Sequence, residues 1–298
     1  MQILVLGRSG QVASALSGKL ALAGQDVLAL SREELDLNDP AAARVGVLAA
    51  RPDIVINAAA YTAVDQAEGD ADAAYALNAT GPAAAAAAAA ELGVPFVHFS
   101  TDYVFDGSKG RPYLEGDETS PLGIYGQSKL AGEIAVATAN PHHVILRTSW
   151  VCSADGNNFL RTMLRLAGER EEMGVVDDQT GQPTFAPDLA DAVVAIINHW
   201  QTTPSRAWGV FHAVSQGETT WCGFARAIMA GSEARGGPSA RIKAIGTADF
   251  PTPARRPADS RLGTDKLAAV YGISLPHWQV SLDACLDEIY GTSQETTR

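Results

Sequence analysis

The chain begins MQILVLGRSGQV (residues 1–12), and this stretch is the strongest indication of its architecture. The apolar run Ile3–Leu6 predicts a strand, and Gly7, Gly10 and Ala13 follow it in the spacing Gly-x-x-Gly-x-x-Ala at the start of a predicted helix. Glycine permits a tight turn and lets the backbone approach a diphosphate, which would lie on free amides at the positive end of the helix. Glycines at this spacing can also simply make a turn. Their place directly after the first strand favours a dinucleotide-binding turn.

The first half of the chain alternates short apolar runs with helix-like stretches. The predicted elements after the first strand are Val12–Leu22, Val27–Leu30, Pro40–Ala50, Ile54–Ile56, a helix over Ala83–Ala90 and a strand over Phe96–Phe99. Such alternation is typical of βαβ units, so we expect an α/β fold with a Rossmann-type, doubly wound parallel sheet. The alanine run has strong helix propensity and predicts a small-faced helix packed closely on the sheet.

Beyond Trp150 the alternation gives way to connections rich in Gly, Asn and Pro. We therefore divide the chain into an NAD(P)-binding domain, residues 1–150, and a smaller C-terminal lobe, residues 151–298. Two later elements, the helix Asp188–Trp200 and the strand Val210–Val214, are predicted to return to the sheet. Residues near 188–214 would then belong to the first domain.

The residues after the second predicted strand bear on the choice of cofactor. Many NAD enzymes place an acidic residue here for the ribose hydroxyls, whereas Ser31 and Arg32 follow Leu30 in this chain. A hydroxyl and a guanidinium suit a 2′-phosphate better than an acid would, which favours NADPH. NADH stays open as an alternative, because Arg32 could be an ordinary surface cation and Asp36 is near enough to serve the adenosine.

Small residues follow the third predicted strand. Ala58, Ala59 and Ala60 would let a cofactor lie flat across the strand ends. Asn57 precedes them and could instead cap a helix.

Tyr125 and Lys129 are four residues apart, which places a phenol and an ammonium group on one face of a predicted helix. A free tyrosine has a pKa of about 10, and a nearby cation favours the phenolate. Thr101 follows the strand Phe96–Phe99 and puts a hydroxyl at the carboxyl edge of the sheet, where ligands bind. Each feature alone could be structural. Together they predict ketone reduction, in which Tyr125 protonates the alkoxide, Lys129 tunes the tyrosine and Thr101 orients the oxygen.

In this order the motifs resemble the dTDP-4-dehydrorhamnose reductases, a family of extended short-chain dehydrogenases/reductases. The segments that carry the resemblance are Gly7–Val12, Asn57–Asp65, Ser100–Phe105, Ser120–Gly132, Arg147–Val151, Gly156–Phe159, Asp178–Thr184 and Pro251–Leu262. They cover nearly the whole chain, so the resemblance implies that the lobe of residues 151–298 binds the sugar nucleotide. The resemblance implies NAD(P)H-dependent reduction of dTDP-4-dehydro-L-rhamnose to dTDP-L-rhamnose, with Tyr125 as the proton donor.

Binding residues follow from the motifs and the resemblance together. The expected cofactor-binding residues are Gly7, Gly10, Gln11, Val12, Ser31, Arg32, Asp36, Leu37, Ala58, Ala59, Ala60, Tyr61, Thr62, Tyr125 and Lys129. The expected substrate-binding residues are Thr101, Asp102, Trp150 and Arg256. The resemblance implies the roles of Asp102 and Trp150, although a tryptophan at a strand end could equally belong to the core. A guanidinium fits phosphate oxygens, which makes Arg256 a candidate for the substrate diphosphate.

Two alternatives stay open. A reductase for another 4-keto-6-deoxy sugar nucleotide would share every motif. A non-catalytic, dinucleotide-binding regulatory subunit would also resemble this family, although the intact Tyr125, Lys129 and Thr101 argue against it. Relatives that dehydrate nucleotide sugars typically carry an acidic pair after the threonine, and here Asp102 is followed by Tyr103, which favours a reductase.

The composition argues against other classes of protein. A net charge of −12 disfavours nucleic acid as a partner. The three cysteines are far apart and form no Cys-x-x-Cys pair, which argues against a disulfide framework or a zinc ribbon. The sequence has neither a signal-peptide pattern nor a run of about 20 apolar residues, so we expect a cytoplasmic protein that does not span a membrane.

Metal binding is not expected. The histidines offer no pair at helical metal-binding spacing, which predicts no catalytic metal. Some members of the resembled family are described as magnesium-bridged dimers that use glutamates near the first helix and elsewhere. Ala15 and no acidic residue stand in that helix here, so magnesium is doubtful. A monomer and a homodimer both remain open.

Overall fold

A six-stranded parallel sheet forms the centre of the fold in this computed structural model, which describes residues 1–203 and 206–291. The strands within these residues are Gln2–Leu6 (β1), Asp26–Leu30 (β2), Ile54–Asn57 (β3), Phe96–Thr101 (β4), His143–Thr148 (β5), Val151–Cys152 (β6), Glu172–Val176 (β7), Thr180–Gly181 (β8), Thr184–Phe185 (β9), Gly209–His212 (β10), Thr219–Thr220 (β11) and Arg241–Ile245 (β12). The order in the large sheet is β10-β5-β4-β3-β1-β2, and each neighbouring pair is parallel.

Helices connect these strands. The α-helices in the described residues are Gln11–Leu22 (α1), Pro40–Ala50 (α2), Val64–Ala67 (α3), Ala71–Tyr75 (α4), Gly81–Glu91 (α5), Ile124–Ala139 (α6), Phe159–Ala167 (α7), Ala186–Thr202 (α8), Trp221–Glu233 (α9), Asp265–Tyr271 (α10) and Trp278–Tyr290 (α11). Short 3-10 turns cover Asp102–Val104 and Thr247–Asp249, and Ala76–Thr80 forms a π-helical turn between α4 and α5. None of the helices in the described part of the chain is long and apolar enough to cross a membrane.

The two faces of the sheet carry separate cores because successive strand residues point to opposite sides. On β1, Ile3 and Val5 pack with α1, α8 and α10, whereas Leu4 and Leu6 pack with α2, α5 and α6. The alanine run lies in α5, which packs between α2 and α6. The small alanine side chains let α5 lie close to its neighbours. At the first residue of α5 the chain approaches even closer, because a Cβ at Gly81 would collide with the backbone oxygen of Leu37. The predicted doubly wound α/β fold is confirmed.

The strand order reverses between β1 and β3. The chain runs from β1 to β2 on one side of the sheet and then crosses to β3 on the other, so the two connections diverge at the carboxyl ends of β1 and β3. Open α/β sheets bind ligands at such a crossing point, because the diverging loops leave a crevice. Gly7 follows β1 and Ala58 follows β3, so the topology directs a ligand to the glycine turn.

A further hydrophobic core lies beyond the sheet. It contains buried residues of α7, α9 and α11 together with Met173, Val175 and Phe185 from the short strands. The returning elements are α8, which packs on α1, and β10, which pairs with β5 at the edge of the large sheet. Residues 292–298, the end of the predicted C-terminal lobe, lie outside the described residues.

Candidate active site

A cleft of about 670 Å³ runs along the carboxyl ends of β1 to β5. Seventeen of the predicted site residues line it: Gly7, Gly10, Gln11, Val12, Ser31, Arg32, Asp36, Leu37, Ala58, Ala59, Ala60, Thr62, Thr101, Asp102, Tyr125, Lys129 and Trp150. Two predicted residues, Tyr61 and Arg256, are not among the lining residues. The structure therefore brings most of the predicted set together around one space.

The turn after β1 has the geometry of an anion-binding loop. Gly7 has φ +102°, a left-handed conformation that favours glycine, and a Cβ there would approach the Ala59 backbone nitrogen to 3.2 Å. Gly10 precedes α1, whose first turn receives no side-chain cap. The first amides of a helix lack intrahelical partners, so they are free to bind a diphosphate. These residues fit a dinucleotide.

Two arginines lie at the far end of the cleft, beside the end of β2. The Arg8 guanidinium donates to the Ala29 carbonyl oxygen at 2.6 Å and pairs with Glu34. Glu34 also accepts from the Ser31 amide and hydroxyl at 2.8 and 2.9 Å. Arg32 reaches Asp36 at 3.6 Å across an exposed ion pair. Arg8 was missed by the sequence analysis, since a residue between two turn glycines gives no signal of its own.

The loop after β3 divides its residues between the cleft and the interior. Asn57 is buried. Its side-chain Nδ2 bonds to His98 Nδ1 at 3.1 Å, and its side-chain Oδ1 accepts from the Ala59 amide. It thus ends a strand rather than capping a helix. Tyr61 directs its phenol to Asp70 at 3.3 Å, away from the predicted cofactor contact.

The three predicted catalytic side chains converge on the cleft from two elements. Helix α6 begins at Ile124, so Tyr125 and Lys129 stand one turn apart near its start, and Thr101 is the last residue of β4. The Thr101 hydroxyl donates to Asp102 Oδ1 at 2.9 Å, and the Lys129 ammonium donates to the Phe99 carbonyl oxygen at 2.6 Å. Helix and strand end are therefore joined at the site by a direct hydrogen bond.

Burial controls the protonation of this group. It raises the pKa of Tyr125 to about 12, an effect that the Thr101 hydroxyl opposes and the Asp102 charge reinforces. Burial also lowers the pKa of Lys129 to about 8, against the attraction of Glu133. The Lys129 ammonium, one helical turn from Tyr125, contacts a backbone carbonyl, and Tyr125 is protonated at neutral pH, as a proton donor must be.

Asp102 is buried beside Thr101. Its pKa is raised to about 7 because burial disfavours the carboxylate, although the hydroxyls of Ser260 and Thr101 stabilise it. The folded chain thus holds a proton that the unfolded chain releases near its ordinary pKa of 3.8. The stability that this proton confers is complete below the unfolded pKa and is lost as the pH rises through about 7.

Asp102→Asn should remove this loss, because asparagine cannot ionise. We expect the variant to exceed the wild type in free energy of unfolding by on the order of 2 kcal/mol at about pH 8, and by less at about pH 5. Urea denaturation at the two pH values measures the difference. A variant that is equally destabilised at both pH values would show that Asp102 is ionised in the folded protein at both.

The two remaining substrate candidates differ in placement. Trp150 lines the cleft with a left-handed backbone, φ +46°, and is half-buried. Arg256 does not line the cleft: it pairs with Asp65 at 2.8 Å, bonds to Thr252 and interacts with Tyr103, which does line the cleft. Its guanidinium is therefore engaged by a carboxylate, which the sequence analysis could not foresee because the two residues are 191 positions apart.

A buried ion pair joins α6 to β5 next to the catalytic residues. Glu133 lies on α6 one turn after Lys129 and accepts from Ser100 Oγ at 2.5 Å. Arg147 of β5 donates Nε and Nη2 to the two Glu133 oxygens at 2.9 and 2.7 Å. The pair ties α6 to the strand ends that carry Thr101.

Comparison with known proteins places this architecture in a family. The family model described as RmlD substrate binding domain matches residues 1–290. A dTDP-4-dehydrorhamnose reductase of Burkholderia thailandensis is 47% identical over 296 residues, which cover 97% of this chain and 99% of the relative. The chain belongs to the dTDP-4-dehydrorhamnose reductase family.

Other relatives agree. The dTDP-4-dehydrorhamnose reductase of Sinorhizobium fredii is 46% identical over 282 residues, 94% of this chain and 95% of the relative. The crystal structure of the Bacillus anthracis dTDP-4-dehydrorhamnose reductase in complex with NADP superposes with a TM-score of 0.90 at 33% identity and covers 96% of this chain and 99% of that one. The resemblance predicted from the motifs is confirmed.

In the described residues, 1–203 and 206–291, no group of three or more His, Cys, Asp or Glu side chains could hold a metal ion.

Proposed function

We propose that this member of the dTDP-4-dehydrorhamnose reductase family reduces dTDP-4-dehydro-L-rhamnose to dTDP-L-rhamnose with NADPH. The observation that carries the proposal is the convergence of Thr101, Tyr125 and Lys129 on one cleft that also contains the glycine turn. Membership of the family and the NADP bound to the Bacillus anthracis relative support the choice of substrate and cofactor.

The reaction adds a hydride to C4 of the sugar and a proton to its oxygen. NADPH, when bound, supplies the hydride. Thr101 orients the keto oxygen, and Tyr125, protonated at neutral pH, transfers its phenolic proton to that oxygen as negative charge develops there. The adjacent Lys129, whose pKa of about 8 keeps it mostly charged near neutrality, stabilises the phenolate that remains.

We also propose that the two parts of the chain bind different ligands. Residues 1–150, with the returning elements near 188–214, bind NADPH, and the core built on α7, α9 and α11 belongs to the lobe that binds the sugar nucleotide. The cleft supports this division, because its lining passes from Gly10 in the sheet part to Asn157 and Trp221 in the second part. We further propose a cytoplasmic enzyme that acts as a monomer or a homodimer.

The NADPH preference has a direct test in Arg32. This side chain lines the cleft and is 77% exposed, and its ion pair with Asp36 is long at 3.6 Å, so it can turn to contact a 2′-phosphate. Arg32→Ala should weaken NADPH binding about tenfold and leave NADH binding nearly unchanged, since only NADPH carries the phosphate. Titration calorimetry with both cofactors measures the effect. Arg165→Ala, which removes an exposed arginine on α7, is the matched control. Equal weakening for both cofactors would refute the role.

The function itself is tested by supplying the purified chain with NADPH and dTDP-4-dehydro-L-rhamnose. We expect NADPH to be consumed and dTDP-L-rhamnose to be recovered as the product. A different 4-epimer or acceptance of another 4-keto-6-deoxy sugar nucleotide alone would change the substrate and keep the chemistry. Tight NADPH binding without turnover of any such sugar would favour the regulatory alternative and defeat the proposal.

A further inference from the structure

A second tryptophan lines the cleft. Trp221 is the first residue of α9, and its indole lies face to face on that of Trp150, with ring centroids 3.5 Å apart and planes inclined by 10°. Both residues line the large cleft and both are half-buried. Aromatic pairs prefer offset or edge-on arrangements, so a face-to-face pair reflects the way the surrounding elements hold the two rings.

Trp150 is held against its own backbone preference. Its φ of +46° lies in the left-handed region, which a bulky side chain seldom adopts unless the surroundings impose it. Gly181 of β8 also packs closely on this ring, because a Cβ at Gly181 would lie 2.5 Å from Trp150 Cε2. The indole is thus clamped by its contacts with Trp221 and Gly181.

The clamp is itself anchored in the second part of the chain. Thr220 caps α9 by accepting from the Gly223 amide at 3.0 Å and donates its hydroxyl to Asp177 at 2.5 Å. Phe159 contacts the Trp221 ring with centroids 4.6 Å apart, and Trp221 packs on the core of α7, α9 and α11. Its position is therefore set independently of Trp150.

The wall formed by the two indoles lies near the reacting centre. Thr148 of β5 is the register partner of Thr101 on β4, and Trp150 follows Thr148 by two residues. The apolar indole pair, beside the residues that handle the keto oxygen, suits contact with the C–H groups of a pyranose ring. The nucleotide part of the substrate extends away from the reacting carbon and has no need of this wall.

We propose that Trp221 is a positioning residue for the sugar ring, which it serves by clamping Trp150 as the wall of the sugar subsite. This role rests on the proposed function. Removal of the Trp221 ring releases Trp150 from its strained arrangement, so the sugar loses its wall, while the cofactor turn at Gly7 and Gly10 is untouched.

The test compares binding of dTDP and dTDP-L-rhamnose to wild type, Trp221→Ala and Trp221→Phe by titration calorimetry. We expect Trp221→Ala to weaken dTDP-L-rhamnose about tenfold and to leave dTDP and NADPH within about twofold of wild type. Trp221→Phe, which keeps an aromatic ring, should recover most of the loss. In turnover assays KM for the sugar nucleotide should rise more than kcat falls.

Trp208→Phe is the control, because Trp208 packs on the sheet core and on Trp200, away from the cleft. Equal weakening of dTDP and dTDP-L-rhamnose, or unchanged binding of both by Trp221→Ala, would overturn the role of Trp221. A wild type that binds both ligands but reduces no keto sugar would defeat the proposed function alone, since the binding comparison requires no turnover.

Discussion

Replacement of Tyr125 by phenylalanine is expected to lower turnover by about 10²- to 10⁴-fold while NADPH still binds. The substitution removes one hydroxyl and keeps the ring. Tyr125 stands at the start of α6, where it contacts the cleft, and its pKa of about 12 keeps the proton in place until the keto oxygen gains negative charge. Without that proton, no phenol at this position could protonate the alkoxide that forms at C4 of the sugar.

Tyr103 is the informative control for this prediction. Its ring lies edge-on to that of Tyr125 with centroids 5.8 Å apart, and it also lines the cleft. Burial raises its pKa well above the ordinary value for tyrosine. Single-turnover assays with Tyr103→Phe should show a loss at least about tenfold smaller than with Tyr125→Phe. The reverse order would transfer the proton donor to Tyr103, and two equal losses would point to a shared water as the donor.

Local periodicity allowed the sheet and its main helices to be predicted. The helix Pro40–Ala50 has the predicted bounds, and α1 and β2 differ from the prediction by one residue at their starts. These elements are long, alternate regularly and carry their own signals, such as Pro40 in the first turn of α2 after the capping Asp39. The strand predicted over Val210–Val214 ends earlier, at His212, because pairing with β5 ends there.

Contacts between distant residues could not be predicted in this way. Arg256 carries the same sequence signal whether it meets a phosphate or a carboxylate, and only the fold brings Asp65 to it. Trp221 likewise follows a short polar stretch with no periodicity, and its stack on Trp150 depends on the packing of the core of α7, α9 and α11. The predicted residues that line the cleft are mainly those at strand ends, where the topology of a parallel sheet fixes their position.

Arg147→Met should be the most destabilising single change in the support of the site, at a cost of about 3–5 kcal/mol. Both charges of the Glu133–Arg147 pair are buried, with each side chain 5% exposed. Loss of the guanidinium leaves the Glu133 carboxylate in a low-dielectric interior with Ser100 as its remaining hydrogen-bond donor. A buried charge that loses its hydrogen-bonded partner costs more than the intact pair contributes, and the attraction of Lys129 offsets only part of that cost. Urea denaturation monitored by far-UV circular dichroism measures the loss.

The double variant Arg147→Met/Glu133→Leu separates an orphaned charge from lost packing. If the charge dominates, the double variant should be more stable than Arg147→Met alone, because no ion remains to be desolvated. Arg165→Met is the surface control: its partner Glu169 is solvated, so the midpoint should hardly move. The opposite outcome is a loss in the double variant equal to the sum of the losses of Arg147→Met and Glu133→Leu, each measured alone. That result would mean that packing around Phe105, whose ring lies 5.0 Å from the Arg147 guanidinium, carries the stability. The position of Thr101 would then depend on the shape of this core rather than on its buried charges.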